Sequence, residues 1–309
     1  MPPRTDAAPS SPNPPPSRPL RPFRIDAHHH LWDLDRRPQP WLDGPWAARS
    51  PAPSPPPTCC RAWPRATWTP PSWCSPAPRP RRPASCWPPP VPATGSRASS
   101  AGPTSPTPPC PTPSPRCARA GGGLLAGLRH QAQDEPDPRW LARTEVRRGL
   151  AALAGAGLVY DLLVTPRELP CAVETVRALP QVDFVLDHAA KPAVAAGAWE
   201  PWAGLLADLA ALPNVVCKLS GLVTEADWET WRPAEILPYA RHVLDAFGPD
   251  RVLFGSDWPV CLLAAEYEEV VALAERATGH LTEAERAAVF GGTAARTYGL
   301  TRPDTVRPG

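Results

Sequence analysis

Residues 51–120 limit what this chain can fold into more than any other stretch, because no core can be built from them. They hold 23 prolines, six of the nine cysteines and eight arginines. They contain no Asp, Glu, Lys, Leu, Ile, Phe, Met or Tyr, and Val91 is their sole aliphatic β-former. A structureless insert of this length is unusual inside a compact domain. The genetic code offers another reading. When the last base of each codon is taken with the first two of the next, Cys59–Cys60 must encode Leu, Trp63–Pro64 Ala, Trp68–Thr69 Asp, Trp73–Cys74 Val and Cys86–Trp87 Leu. In that frame 58–75 closes a helix and enters a buried strand, and 93–110 carries another. The segment reads as a compensated double frameshift, entered near Ala48–Ser50 and left near Ala118–Gly122. The alternative is a genuine Pro-rich insert, which as a ligand for SH3-like domains would be read in the frame as written.

Without this segment and the Pro/Ser-rich tail 1–22, which reads as disordered or as an over-extended start, roughly 220 residues remain, enough for one large α/β domain or barrel. The net charge of +2 is misleading, since 51–120 adds eight arginines and no acid. The rest is mildly acidic, which gives no electrostatic case for nucleic acid. No run of 18 apolar residues is present, so no membrane span is expected. Cys171, Cys217 and Cys261 remain outside the suspect segment, an odd number at scattered spacing that fits reduced thiols and a cytoplasmic location.

After Gly121 short apolar runs alternate with helical stretches. The runs are Leu124–Leu128, Val159–Val164, Phe184–Leu186, Val215–Leu219 and Val252–Phe254; between and after them lie Trp140–Ala156, Pro170–Leu179, Trp199–Leu212, Pro233–Phe247 and Ala264–Thr278. Continuously apolar strands are buried on both faces, and their alternation with helices predicts parallel βαβ units. Phe23–Ala27 makes a sixth strand, and the two from the shifted frame make eight, the count of a (β/α)8 barrel spanning 23–309. As written, the chain should lack strands two and three. A closing helix is predicted over Thr282–Tyr298, opened by a capping box of Thr282 and Glu285.

The polar residues cluster just after the strands, and in a barrel all strand C-termini open on one face. His28 and His30 are spaced i, i+2 at a strand end, so both imidazoles fall on one side, as chelation of a single metal requires. Asp257 can ligate a metal, take a proton from water or cap a turn. His188 is a ligand, a general acid/base or a core histidine. Arg129 suits a carboxylate or carbonyl through its planar fork, or forms an ion pair at the barrel rim. Lys218 draws attention because lysine occurs twice in the chain against 30 arginines. Lys191 stands just beyond His188. His242 and His280 read as surface residues on helices.

The motifs IDAHHHLWD with Trp41–Leu42, GLRHQ, YDLLV, VLDHAAKP, VCKLSGL and RVLFGSDWPV resemble the amidohydrolase superfamily, in particular its sugar-lactonase branch. The match spans 23–46 and 121–300. The resemblance implies a (β/α)8 barrel that hydrolyses cyclic esters; relatives hydrolyse amides or decarboxylate ring acids. It implies metal ligands at His28, His30, His188 and Asp257, with Asp257 and His188 catalytic. It places Arg129 and His130 toward substrate. On the lactonase reading, Lys218 is a further cation for the developing oxyanion, and Trp32, Trp41 and Trp258 are candidate walls that stack on a sugar ring. One divalent ion, zinc or similar, is expected at most, because strand five offers only Asp161 and Thr165. Because lactones are activated esters, a site without a tightly held metal stays open as an alternative. The expected partner is a small lactone or carboxylate, and the expected assembly a monomer or homodimer. The alternatives are a decarboxylase of an aromatic or dienoic acid on the same barrel, and a non-functional product of a frame-disrupted gene.

Overall fold

The apolar runs form a parallel sheet. The computed structural model describes residues 23–30 and 125–300. Within them the strands are β1 Gly127–His130, β2 Val159–Leu162, β3 Phe184–Leu186, β4 Val215–Leu219 and β5 Val252–Phe254, paired in the order β1-β2-β3-β4-β5 and all parallel. Helices α1 Thr144–Gly155, α2 Leu169–Ala178, α3 Trp202–Ala210 and α4 Pro233–Phe247 connect successive strands, and α5 Tyr267–Ala277 follows β5. The first strand falls at 127–130 rather than 124–128, because its register is set by pairing Arg129 with Asp161 and His130 with Leu162.

The segment Phe23–His30 runs beside β5. Ala27 N donates to Phe254 O at 2.9 Å, Asp257 N to His28 O at 2.7 Å and His30 N to Trp258 O at 2.6 Å. It makes one parallel bridge, His29 to Trp258, instead of the continuous strand expected over Phe23–Ala27. Six extended segments therefore lie side by side in (β/α)8 order. The expected second and third strands, and the tail 1–22, lie outside the described residues.

The closing helix starts as predicted. Thr282 caps it, accepting from Glu285 N at 3.3 Å while Glu285 accepts from Thr282 N at 2.8 Å. It does not run unbroken to Tyr298. Helices α6 Glu283–Ala287 and α7 Thr293–Thr297 flank a π turn, Ala288–Gly292. The widened turn leaves the Phe290 carbonyl to accept from Ile25 N at 2.8 Å, tying the first segment to the barrel floor.

Strand alternation sorts side chains onto two faces. Tyr160, Leu162, Phe184, Leu186, Cys217 and Phe254 join the large core between sheet and helices. Val159, Val185 and Leu253 point the other way and pack with Ala27, Ala294 and Tyr298 inside the barrel. One step further along each strand the inward positions turn polar: Arg129 on β1, Asp161 on β2, Asp187 just after β3 and Lys218 on β4. An apolar floor with charges above it is what places the site at the strand C-termini.

Candidate active site

Asp26 fastens the first segment to the loop after β5. Its Oδ1 accepts from His28 N at 3.2 Å and from Ser256 N at 2.9 Å. Gly255 permits the approach, since a Cβ there would stand 2.6 Å from His28 Cβ. His28 and His30 then turn their rings to the same side, 5.1 Å apart between centroids, and the His188 ring stands 4.4 Å from that of His28. Gly221 backs His188, where a Cβ would meet Nδ1 at 2.6 Å, and Ser220 Oγ bonds the same nitrogen at 2.9 Å. Asp257, at φ 57°, turns its carboxylate onto all three rings. Oδ1 lies 3.3 Å from His30 Nε2 and 3.5 Å from His28 Nε2, and Oδ2 lies 4.0 Å from His188 Nδ1.

Beneath this cluster runs a buried charge network. Lys218 Nζ contacts Asp161 Oδ2 at 2.5 Å, Asp187 Oδ1 at 2.8 Å and His28 Nδ1 at 3.1 Å. Arg129 Nη1 donates to Asp187 Oδ2 at 3.0 Å and lies 3.2 Å from His28 Nε2. Tyr298 Oη adds a contact to Asp161 Oδ2 at 3.3 Å. Two carboxylates thus face two cations, and buried charges are tolerated when paired in this way.

Burial opposes charge on every group here, and neighbours decide the outcome. Burial lowers His28 well below the ordinary imidazole range, reinforced by Lys218. It lowers His188 to about 4 against the pull of Asp257 and Asp187. Burial would raise Asp257, but the imidazoles of His188, His30 and His28 outweigh it and hold its carboxyl well below the usual range. Asp187 is likewise lowered despite burial, by Lys218 and His28, and Lys218 is held well above the lysine range by Asp161 and Asp187. The neutral imidazoles of His28 and His188 therefore face one ionised carboxylate.

This donor set fits a divalent cation. Ligand atoms of His28, His30 and Asp257 all lie within 4.8 Å of one another, as do those of His28, Asp187 and His188. The first triad suits a cation better, because Asp187 already serves Lys218 and Arg129. Asp257 Oδ1 is buried and, among the described residues, accepts no hydrogen bond, an orphan that a shared cation would satisfy. Nitrogen and carboxylate ligands are those zinc takes, and Asp187 Oδ1, 3.4 Å from His28 Nδ1, offers the outer carboxylate that orients a ligating imidazole.

The structure thus brings His28, His30, His188 and Asp257 together, with Arg129 beside them and Lys218 below, 2% exposed. His130 goes elsewhere. It pairs with Leu162 and so follows the outward face; its ring stacks on Trp140 at 4.3 Å and its Nε2 meets Glu135 Oε1 at 2.7 Å. Trp258 is buried against the helix-side core. Trp32 and Trp41 lie outside the described residues. Asp187, Asp161 and Tyr298 received no role from sequence. The first two were legible as lone acids in apolar strands, whereas Tyr298 carried no signal.

The chain matches the amidohydrolase family over residues 101–300. It is 49% identical over 211 residues to an L-fucono-1,5-lactonase of Burkholderia multivorans, covering 62% of this chain and 69% of that one. It is 40% identical over 181 residues to an L-fucono-1,5-lactonase of Burkholderia ambifaria, covering 57% and 62%. A crystal structure of an amidohydrolase from Burkholderia multivorans with bound zinc superposes with a TM-score of 0.56 at 46% identity, covering 61% of this chain and 70% of that one. With most of its length matched and its strand-end histidines and aspartate converging on one site, the chain belongs to the amidohydrolase family.

Proposed function

We propose that this chain is a hydrolase that opens the cyclic ester of a sugar-acid lactone by water attack. The convergence of His28, His30 and His188 on the ionised Asp257 carries the reading. The lactonase names of its relatives supply the substrate class and favour hydrolysis over decarboxylation.

Asp257 is the proton acceptor. A water beside it attacks the ester carbon, the new C–O bond forms, and the water's proton passes to the carboxylate. Arg129 holds the carbonyl oxygen as it becomes an oxyanion. Collapse breaks the ring C–O bond, and the alkoxide takes the proton from Asp257, with His188 as the neighbouring relay. Lys218 and Asp187 fix the His28 ring from below. His28, His30 and Asp257, with His188 alongside, would hold a divalent cation, which when bound supplies Lewis-acid polarisation of the ester carbonyl. A carboxylate held so far below its usual range is a reluctant base, so a cation or an activated ester matters to the rate.

No described helix is long and apolar enough to cross a membrane. Cys171, Cys217 and Cys261 are buried free thiols, which supports a reducing, cytoplasmic setting. Ring opening of aldonolactones, followed by acid release, tests the reading. Activity on at least one is expected. No pH-dependent hydrolysis across a range of lactones, or release of carbon dioxide from an aromatic acid instead, would overturn it.

A further inference from the structure

Two strand-end loops carry charges that take no part in water activation. After β3, His188, Ala189, Ala190 and Lys191 are all left-handed, with φ of 51°, 49°, 58° and 51°. Non-glycine residues adopt this conformation at a cost, so a run of four persists only where its surroundings impose it. Here the Trp202 indole donates to Ala189 O at 2.7 Å, and Lys191 N donates to His188 O at 2.8 Å. After β4, the turn Val223–Glu225 is braced in a similar way. Thr224 Oγ1 donates to Gly221 O and the Trp228 indole to Thr224 O, both at 2.8 Å.

The tips of these two braced loops face each other. Lys191 Nζ stands 3.9 Å from Glu225 Oε1, with the side chains 25% and 24% exposed. That separation is too long for a hydrogen bond, and among the described residues neither charged group hydrogen-bonds to another partner. Both loops leave strand ends that carry the site: Lys191 follows His188 by three residues after β3, and Glu225 follows Ser220 by five after β4, the Ser220 Oγ bonding His188 Nδ1 at 2.9 Å. A hydroxyl donates and accepts at once, so it can join an ammonium to a carboxylate that do not bond each other directly.

We propose that Lys191 and Glu225 are a specificity pair that reads a hydroxyl of the substrate ring, Lys191 Nζ donating to its oxygen and Glu225 Oε1 accepting its hydrogen. This rests on the sugar-lactone reading and adds the group recognised. A site built to bond a hydroxyl rejects the analogue that lacks it.

The test compares a polyhydroxylated six-membered aldonolactone with bare δ-valerolactone on the full chain and on Lys191→Met, Lys191→Arg and Glu225→Gln. In Lys191→Met and Glu225→Gln the preference in kcat/KM for the hydroxylated lactone should fall by about tenfold or more, mainly through KM, and Lys191→Arg should restore part of it. An unchanged preference overturns the pair. In parallel, a polyhydroxylated δ-lactam, neutral and resistant to hydrolysis, is titrated calorimetrically. Binding to the parent chain that weakens about tenfold in Lys191→Met supports the pair. Equal binding to both, or none to the parent chain, overturns it. A parent chain that binds the lactam but opens no lactone refutes the proposed activity and leaves the pair decided by the titration.

Discussion

Lys218 Nζ lies 2.5 Å from Asp161 Oδ2, a fully buried ion pair beneath the His28 ring. Its second contact, to Asp187 at 2.8 Å, makes one cation the counterion of two carboxylates. Removing a single partner from a buried pair leaves an uncompensated charge and costs about 3–5 kcal/mol. Lys218→Met should therefore lower stability by that order in urea unfolding, and adding Asp161→Asn should recover part of the loss. An unchanged midpoint would show that the pair contributes nothing.

Asp257→Asn keeps the volume and removes the proton acceptor. Lactone kcat should fall by about 10²–10⁴-fold. The unfolding midpoint should stay close to that of the parent chain, because the substitution also relieves a buried charge. Loss of fold instead of rate would assign Asp257 a structural role.

His188 titrates at about 4 in the folded chain against the ordinary 6.5. Between those values the unfolded chain binds more protons. Stability therefore rises with pH across this window; the contribution is complete above about 6.5 and lost as pH falls toward 4. The full contribution is roughly 3 kcal/mol. His28, also lowered, acts in the same direction. In metal-free buffer the urea midpoint should be lower at pH 5 than at pH 7.5, and His188→Gln should flatten the difference. A midpoint independent of pH would contradict the buried neutral imidazole.

Zinc titrated into the chelated chain should bind at one equivalent, read by competition with a chromophoric chelator. His28→Gln should abolish binding, and Asp187→Asn should weaken it by about 10–100-fold through loss of the carboxylate behind His28. Binding that survives in His28→Gln would place the cation elsewhere.

Reading the coding DNA across codons 45–125 tests the frame. A compensating pair of single-base changes near Ala48–Ser50 and Ala118–Gly122 is expected to restore two barrel strands. A confirmed frame would leave a chain without them, and its motifs would be relics of an enzyme.

Much of this molecule was legible in the sequence. Continuous apolar runs alternating with helical stretches define parallel βαβ units, because a strand buried on both faces can afford no polar alternation. The i, i+2 spacing of His28 and His30 puts two rings on one side of an extended chain, whatever surrounds it. The Thr282–Glu285 box starts its helix because both groups are local. Other properties are not local, and only the tertiary structure decided them. Arg129 and His130 are adjacent in sequence, yet pairing with Asp161 and Leu162 sends one into the barrel and the other onto Trp140. Lys218 is an attractive substrate cation by rarity, but the fold closes two carboxylates around it. The π turn near Phe290 answers a hydrogen bond from Ile25, a residue 265 positions away. Periodicity and spacing report on the chain's own geometry; which face a charge occupies, and what neutralises it, depends on strands brought together from distant parts of the sequence.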